Sequence, residues 1–402
     1  NNVLVLESSN KLGGRVQSYI DNKSNIQFEE GAARFSMKHK RFIELIKELG
    51  LSDKMFPITN EVSYRPYPNN LHSQYQEKYS TFDDLIDDLS QQLKKRNIPN
   101  SKLLNINLLE AFDAYLPKIN NVAISKFAEA RYQYYSELYH FNAVEALRTF
   151  KQDFNLKVQY FILAGGLTQI INILSDKIKT MGGVIKTNSH ISDIQEIKSD
   201  SSFNSSSNSN SNSNSMIYKL NNKFTCDTLV LALTTQALQS LNYIKRNISL
   251  YKSIKAVNCR PLYRIYARYP HGPNGKVWFH DIGKVATNLP IKFIIPYGEE
   301  KGVIMISYTD DKYADYWMKK NIESSPEDDV FQKELDKQLK KLFPDKEIPK
   351  PKWVKHYYWK CAAAYWTKGN DSKIIMSQIL HPDRSKNLYI PLDSPGETQN
   401  MN

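Results

Sequence analysis

Only three cysteines stand in 402 residues, Cys226, Cys259 and Cys361, far apart and without a CxxC pair. That pattern excludes a dense disulfide framework and leads to an expectation of buried structural thiols in a reducing, cytoplasmic setting. No run of about 20 apolar residues is present, which argues against a membrane-spanning helix. His271 and His280 lack the spacing of a metal site, and no Gly-x-Ser-x-Gly elbow supports hydrolase chemistry. The net charge of +12 is accompanied by no helix-turn-helix, zinc finger or RNA-binding motif. The basic residues, as in Lys94-Lys95-Arg96 and Lys340-Lys341, are spread over helix faces and loops among acids, so a solvated surface is expected rather than a nucleic-acid partner. The chain opens at Asn1 rather than at methionine, and a targeting signal ahead of it is left open.

The most informative stretch is Val3-Leu4-Val5-Leu6-Glu7 followed by Lys11-Leu12-Gly13-Gly14-Arg15-Val16. Its short aliphatic run suits a parallel strand covered on both faces. A carboxylate at the strand's end is where a Rossmann-type sheet holds a ribose hydroxyl. Gly13 and Gly14 would let backbone approach a ligand that a Cβ would block, and Arg15 offers a fork of donors. An ordinary strand and tight turn is the competing reading. At 402 residues and 41% hydrophobic content, the chain can form two or three domains.

A second segment, Phe28-Glu29-Glu30-Gly31-Ala32-Ala33-Arg34-Phe35, gives the first its meaning. Together the two resemble the opening of the flavin-containing amine oxidase family, which includes monoamine, polyamine and L-amino acid oxidases. The resemblance implies FAD as cofactor. It places the adenosine ribose on Glu7, the flavin and pyrophosphate beside Gly13, Gly14 and Arg15, and further cofactor contacts on Ala32, Ala33 and Arg34. Family members begin with an earlier strand and a Gly-x-Gly-x-x-Gly turn. None precedes Val3 here, so the chain is expected to be a fragment that lacks the first βα element and is shortened at both ends.

The rest of the chain fits that outline. Lys40 to Gly50 and Thr81 to Arg96 carry helical periodicity, and the second places Asp83 and Asp84 at its front and Lys94, Lys95 and Arg96 at its back, as the helix dipole favours. Ala164-Gly165-Gly166-Leu167 opens a further helix closed by Gly182-Gly183, with strands expected over Val184–Thr187 and Ile191–Ile197. By resemblance these return beside the adenine, which adds Ile191 to the cofactor contacts. The Ser/Asn run 199–215 cannot bury enough apolar surface to offset its ordering entropy and is expected to be a disordered loop. Strands are expected over Phe224–Leu233, Leu262–Tyr269, Phe293–Tyr297, Val303–Tyr308 and Lys386–Ile390, and a helix over Asp328–Phe343. The fold class is α/β. A Rossmann-like FAD-binding domain is expected over 1–35, 158–255 and 378–402, a mixed-sheet substrate domain over 36–75 and 256–377, and a helical insertion over 76–157.

The expected chemistry rests on four elements. Arg34 resembles the arginine that pairs with the substrate carboxylate in L-amino acid oxidases, the alternative being an ion pair with Glu29, Glu30 or another structural acid. Lys284 resembles the lysine that holds a water near flavin N5, with Lys276 as the alternative alignment. The aromatics Tyr357-Tyr358-Trp359 and Tyr365-Trp366 concentrate where the family cages its substrate amine, the alternative being an aromatic core strand. Gly396-Glu397-Thr398 resembles the Gly-Glu motif on the ribityl-pyrophosphate side, although Pro391 to Pro395 intervene. The implied partners are a small amine or amino acid and molecular oxygen. The implied products are an imine, then a carbonyl and ammonia, with hydrogen peroxide. A non-catalytic relative that keeps the fold, and a flavoenzyme that desaturates carbon–carbon bonds, are the rival readings.

Overall fold

A computed structural model describes residues 2–119, 121–155, 157–198, 216–326, 328–383 and 386–391. The Ser/Asn run and Gly396-Glu397-Thr398 lie outside the described residues.

The largest sheet has six strands, in the order Trp353–Trp366, Val257–Arg268, Val303–Asp310, Phe293–Gly298, Lys284–Ala286 and Val62–Tyr64. All neighbours are antiparallel except the last two, which pair in parallel, so the sheet is mixed. Alternation along Val303–Asp310 shows how it is held. Ile304 and Ile306 point to one face, against Trp317, Leu335 and Leu339 of helices Asp311–Glu323 and Val330–Leu342. Val303 and Met305 point to the other, where Phe28 stacks on Tyr266 with ring centroids 4.0 Å apart. Phe28 belongs to the hairpin Ser18–Asp21 and Ile26–Glu29. The sheet is therefore clamped between two helices and the segment that leads into Glu29-Glu30-Gly31.

A block of helices runs from Ser73–Gln76 to Ala143–Gln152. Its longest member, Phe82–Lys95, buries Leu85, Ile86, Leu89 and Leu93 as their spacing implies. Thr81 caps it: the Asp84 amide donates to Thr81 Oγ1 at 3.3 Å, and the Thr81 amide donates to the Asp84 carboxylate at 2.7 Å. Thr81→Ala is expected to destabilise the protein by about 1 kcal/mol, seen as a lower urea midpoint with an unchanged slope.

The cofactor side contains two parallel pairs, Leu4–Leu6 with Val184–Lys186 and Leu229–Val230 with Leu388–Tyr389. The parallel pairing of the first strand is as expected, but its burial is not. Val3 is 51% and Leu4 40% exposed, because among the described residues the strand has a neighbour on one edge only. The single strand expected over Phe224–Leu233 is two strands. Phe224–Cys226 joins the antiparallel sheet of Met216–Leu220 and Ile194–Lys198, and a bend at Asp227-Thr228 sends Leu229–Val230 elsewhere. The strand expected from Ile191 begins at Ile194.

The expectation of three thiols is also corrected. Cys259 and Cys361 form a disulfide across 102 residues of sequence, with Cα atoms 5.1 Å apart, and Cys226 is free. They sit on the paired strands Val257–Arg268 and Trp353–Trp366, where the register slips between Arg260 and Leu262. Sequence distance carries no information about two long antiparallel strands that lie side by side. With a disulfide present, the inference of a reducing compartment loses its basis.

Candidate active site

The first motif forms a turn with room for a ligand. Strand Leu4–Leu6 delivers Glu7, whose Oε1 accepts the Ser9 amide at 2.7 Å and whose Oε2 has no partner among the described residues. Gly13 and Gly14 have φ of +100° and +54°, a region that side chains other than glycine rarely adopt. A Cβ at Gly13 would lie 2.7 Å from the Val16 carbonyl oxygen, whereas nothing stands within 4 Å of the place a Gly14 Cβ would occupy. A free carboxylate oxygen beside an open glycine cradle fits the ribose and pyrophosphate of FAD. Ile191 packs with Leu6 on the apolar cluster of the same side.

The second motif is locked to the first. Ala32 donates to the Arg15 carbonyl at 2.9 Å, and a Cβ at Gly31 would stand only 1.9 Å from that oxygen, so the approach requires glycine. Arg15 Nη1 donates to the Ala362 carbonyl at 3.0 Å. Arg264 and Tyr266 of the large sheet donate to the Glu29 carbonyl at 2.9 and 2.7 Å, and Trp359 Nε1 donates to that of Glu30 at 2.7 Å. Burial pushes the Glu29 carboxyl up to about 7, although Ser18 Oγ and the Leu167 amide donate to it. Ala32 is exposed and Ala33 half-buried, next to this junction.

Beyond the junction opens a cavity of about 620 Å³, a size suited to a small-molecule ligand. Arg34 reaches it because strand Phe35–Ser36 pairs with Tyr160–Leu163, which sets the guanidinium over the Tyr160 ring at 4.4 Å. No carboxylate among the described residues pairs with Arg34, so the alternative of an ion pair with Glu29 or Glu30 is not what the structure contains. Burial pulls its pKa down, but the surrounding Tyr134, Tyr160, Tyr308 and Tyr132 outweigh this and hold it above the ordinary value. Lys284 starts the strand Lys284–Ala286, paired with Val62, and lines the same cavity. Its Nζ donates to the Thr59 carbonyl. Burial, and then the charge of Arg34, lower its pKa to about 8.

The remaining expected residues lie elsewhere. Tyr365 is buried against the helical block, where it stacks on Phe141 and lies tilted against His140, while Trp366 is fully buried in the cluster that holds Leu388, Ile379 and Leu238. Neither lines the cavity, and the strand that carries them runs through two cores. Tyr357 packs edge-on to Phe28 and Tyr266, which is the core-strand alternative for that cluster. Lys276 belongs to the turn at Gly272 to Lys276, away from the cavity, which leaves Lys284 as the lysine beside Arg34.

Sequence reasoning missed two kinds of residue. Arg131 lines the cavity too, but reads in the sequence as an ordinary helix C-terminal base. Glu137 is a buried acid, with Oε2 unbonded, whose carboxyl is raised by burial and by Asp310. Asp310 in turn accepts the Tyr135 and Ser136 amides at 2.7 Å each. A lone acid among aromatics was the available signal for Glu137.

A dinucleotide-type turn docked on a mixed sheet, next to a cavity lined by Arg34 and Lys284, fits a flavoprotein oxidoreductase of two-part α/β architecture. The family pattern of flavin containing amine oxidoreductases matches residues 1–371, and the chain belongs to that family, with FAD as its cofactor. Cyclohexylamine oxidase from Brevibacterium oxydans IH-35A has a similar fold, with a TM-score of 0.68 at 13% identity over 97% of this chain and 87% of that one. A putrescine oxidase variant redesigned in its cofactor binding gives 0.64 at 13% identity over 96% and 87%. A candidate protoporphyrinogen oxidase of Exiguobacterium sp. 255-15 gives 0.62 at 13% over 97% and 88%. At such identity these likenesses speak to the fold alone. No curated protein matches the chain by sequence. Among the described residues no helix is long and apolar enough to cross a membrane, and no cluster of side chains could hold a metal ion.

Proposed function

We propose that the protein is an FAD-dependent oxidase of a primary amine or L-amino acid that yields an imine, which hydrolyses to a carbonyl and ammonia, and hydrogen peroxide. The observation that carries this reading is that Arg34 and Lys284, 250 residues apart, line one cavity, and that Arg34 has no carboxylate partner there. FAD, when bound, supplies the two-electron acceptor. Glu7 Oε2 would take a ribose hydroxyl of FAD, and Gly13, Gly14 and Arg15 would hold its pyrophosphate and flavin. Arg34 pairs with a substrate carboxylate through two parallel N–H donors, which orients the amine-bearing carbon. Lys284 spends one N–H on Thr59 and keeps two for an ordered water, and its positive charge favours the reduction of oxygen.

Tyr365 and Trp366 stand away from the cavity, which is the observation that favours the rival reading of a non-catalytic relative. A peroxide assay on the FAD-loaded protein with amines and L-amino acids separates the two. Peroxide release with one of these substrate classes is expected, and flavin that no amine or amino acid reduces would leave the rival standing.

A further inference from the structure

The cavity that holds Arg34 and Lys284 has a third half-buried cation. Arg131 ends the helix Ile124–Arg131, its Nη2 donates to the Ser80 carbonyl at 2.8 Å, and its guanidinium carbon lies 4.8 Å from the Tyr64 ring centroid. Stacking and one hydrogen bond fix the group, yet no carboxylate among the described residues pairs with it. Its pKa is held below the ordinary arginine value by burial, which Tyr64 and Asp84 only partly offset. With Lys157, four cations line the cavity against the two acids Glu61 and Asp83. The lining also includes the aromatic side chains of Phe82, Tyr132, Tyr160 and Phe293.

A desolvated guanidinium without a counter-charge is unfavourable, and Arg34 and Arg131 both line this cavity with no ion pair to either among the described residues. A ligand with a single carboxylate neutralises one of them. A ligand with an anion at each end of a short methylene chain neutralises both and lays its chain along the aromatic lining. A basic side chain in the same place would meet the charge of Arg131.

We propose that the substrate is an amino acid with a second anionic group, and that Arg131 is the residue that selects for it. The α-carboxylate sits on Arg34 and the distal carboxylate on Arg131. This rests on the reading of Arg34 as the α-carboxylate partner. The two separate by experiment, because the first concerns any carboxylate and the second only dicarboxylates.

The test is calorimetric titration of the FAD-loaded protein with glutarate, a dicarboxylate that carries no amine to oxidise, and with butyrate. Glutarate is expected to bind about 30-fold more tightly, a charge-assisted pair being the difference. Arg131→Gln is expected to reduce glutarate to the level of butyrate, and Arg131→Lys, which keeps charge but not the planar fork, to fall between. In turnover, glutamate should have the higher kcat/KM than alanine, and Arg131→Gln should remove that preference through KM rather than kcat. Equal binding of the two acids, or a glutarate preference that survives Arg131→Gln, overturns the proposal while the role of Arg34 stands. Failure of both acids to bind overturns the two together.

Discussion

Arg34→Ala loses activity on amino acids by roughly 30-fold to several thousand-fold in kcat/KM, and spares the corresponding decarboxylated amines. The range follows from removing a charge-assisted bidentate pair in a partly buried pocket, about 2–5 kcal/mol, some of which is the cost of leaving the carboxylate unpaired. The structure makes the effect specific. Among the described residues Arg34 makes no ion pair, its guanidinium lies 4.4 Å from the Tyr160 ring, and its charge also favours the ionised form of the buried Glu137. Arg34→Lys is the check on folding: it keeps the charge above Tyr160 but loses the fork, and should recover only part of the rate. Steady-state rates on paired substrates, each amino acid beside its decarboxylated amine, read the outcome. A wild type that oxidises amines alone, or a variant that loses both classes alike, makes Arg34 structural.

The second large effect concerns Lys284→Met. Oxygen uptake by the reduced protein should slow roughly 100-fold or more, with reduction by substrate far less affected, because a preorganised charge matters where negative charge develops. Stopped-flow traces of the flavin absorbance, anaerobic with substrate and then with oxygen, separate the two halves. The pH dependence has a definite sign. The Lys284 ammonium titrates at about 8 rather than near the usual value of 10.5, because burial and then Arg34 disfavour its charged form. The charge is thus present below about pH 8 and lost above it, so the oxidative rate of the wild type should fall as pH rises through 8, and that of Lys284→Met should not. Equal slowing of both halves would remove Lys284 from the site.

How much of this was legible in the sequence depended on the range of the interaction. Helices such as Phe82–Lys95 were readable because periodicity, cap and terminal charges all lie within one segment. The two motifs were readable because glycines mark backbone approach: Gly31 against Arg15 is what the pattern of Glu30-Gly31-Ala32 requires. The convergence of Arg34 and Lys284 came from family resemblance, since no local signal joins residues 250 apart. What failed was set by sheet register. The Cys259–Cys361 bridge and the break at Asp227-Thr228 both depend on which strand lies alongside, which composition does not encode. Arg131 was invisible for a related reason: a base at a helix C-terminus has a sufficient local explanation in the helix dipole, and only the packed cavity shows that it lines the same space as Arg34.

The central claim is that this fold runs amine oxidation on FAD. The most direct measurement is the visible spectrum of the protein supplied with FAD, freed of excess by gel filtration and titrated without oxygen with an amine or amino acid. The account predicts that FAD stays with the protein, that its absorbance bleaches with substrate, and that it returns on admitting air with release of peroxide. A protein that takes up no FAD, or holds FAD that no amine or amino acid bleaches, would contradict it.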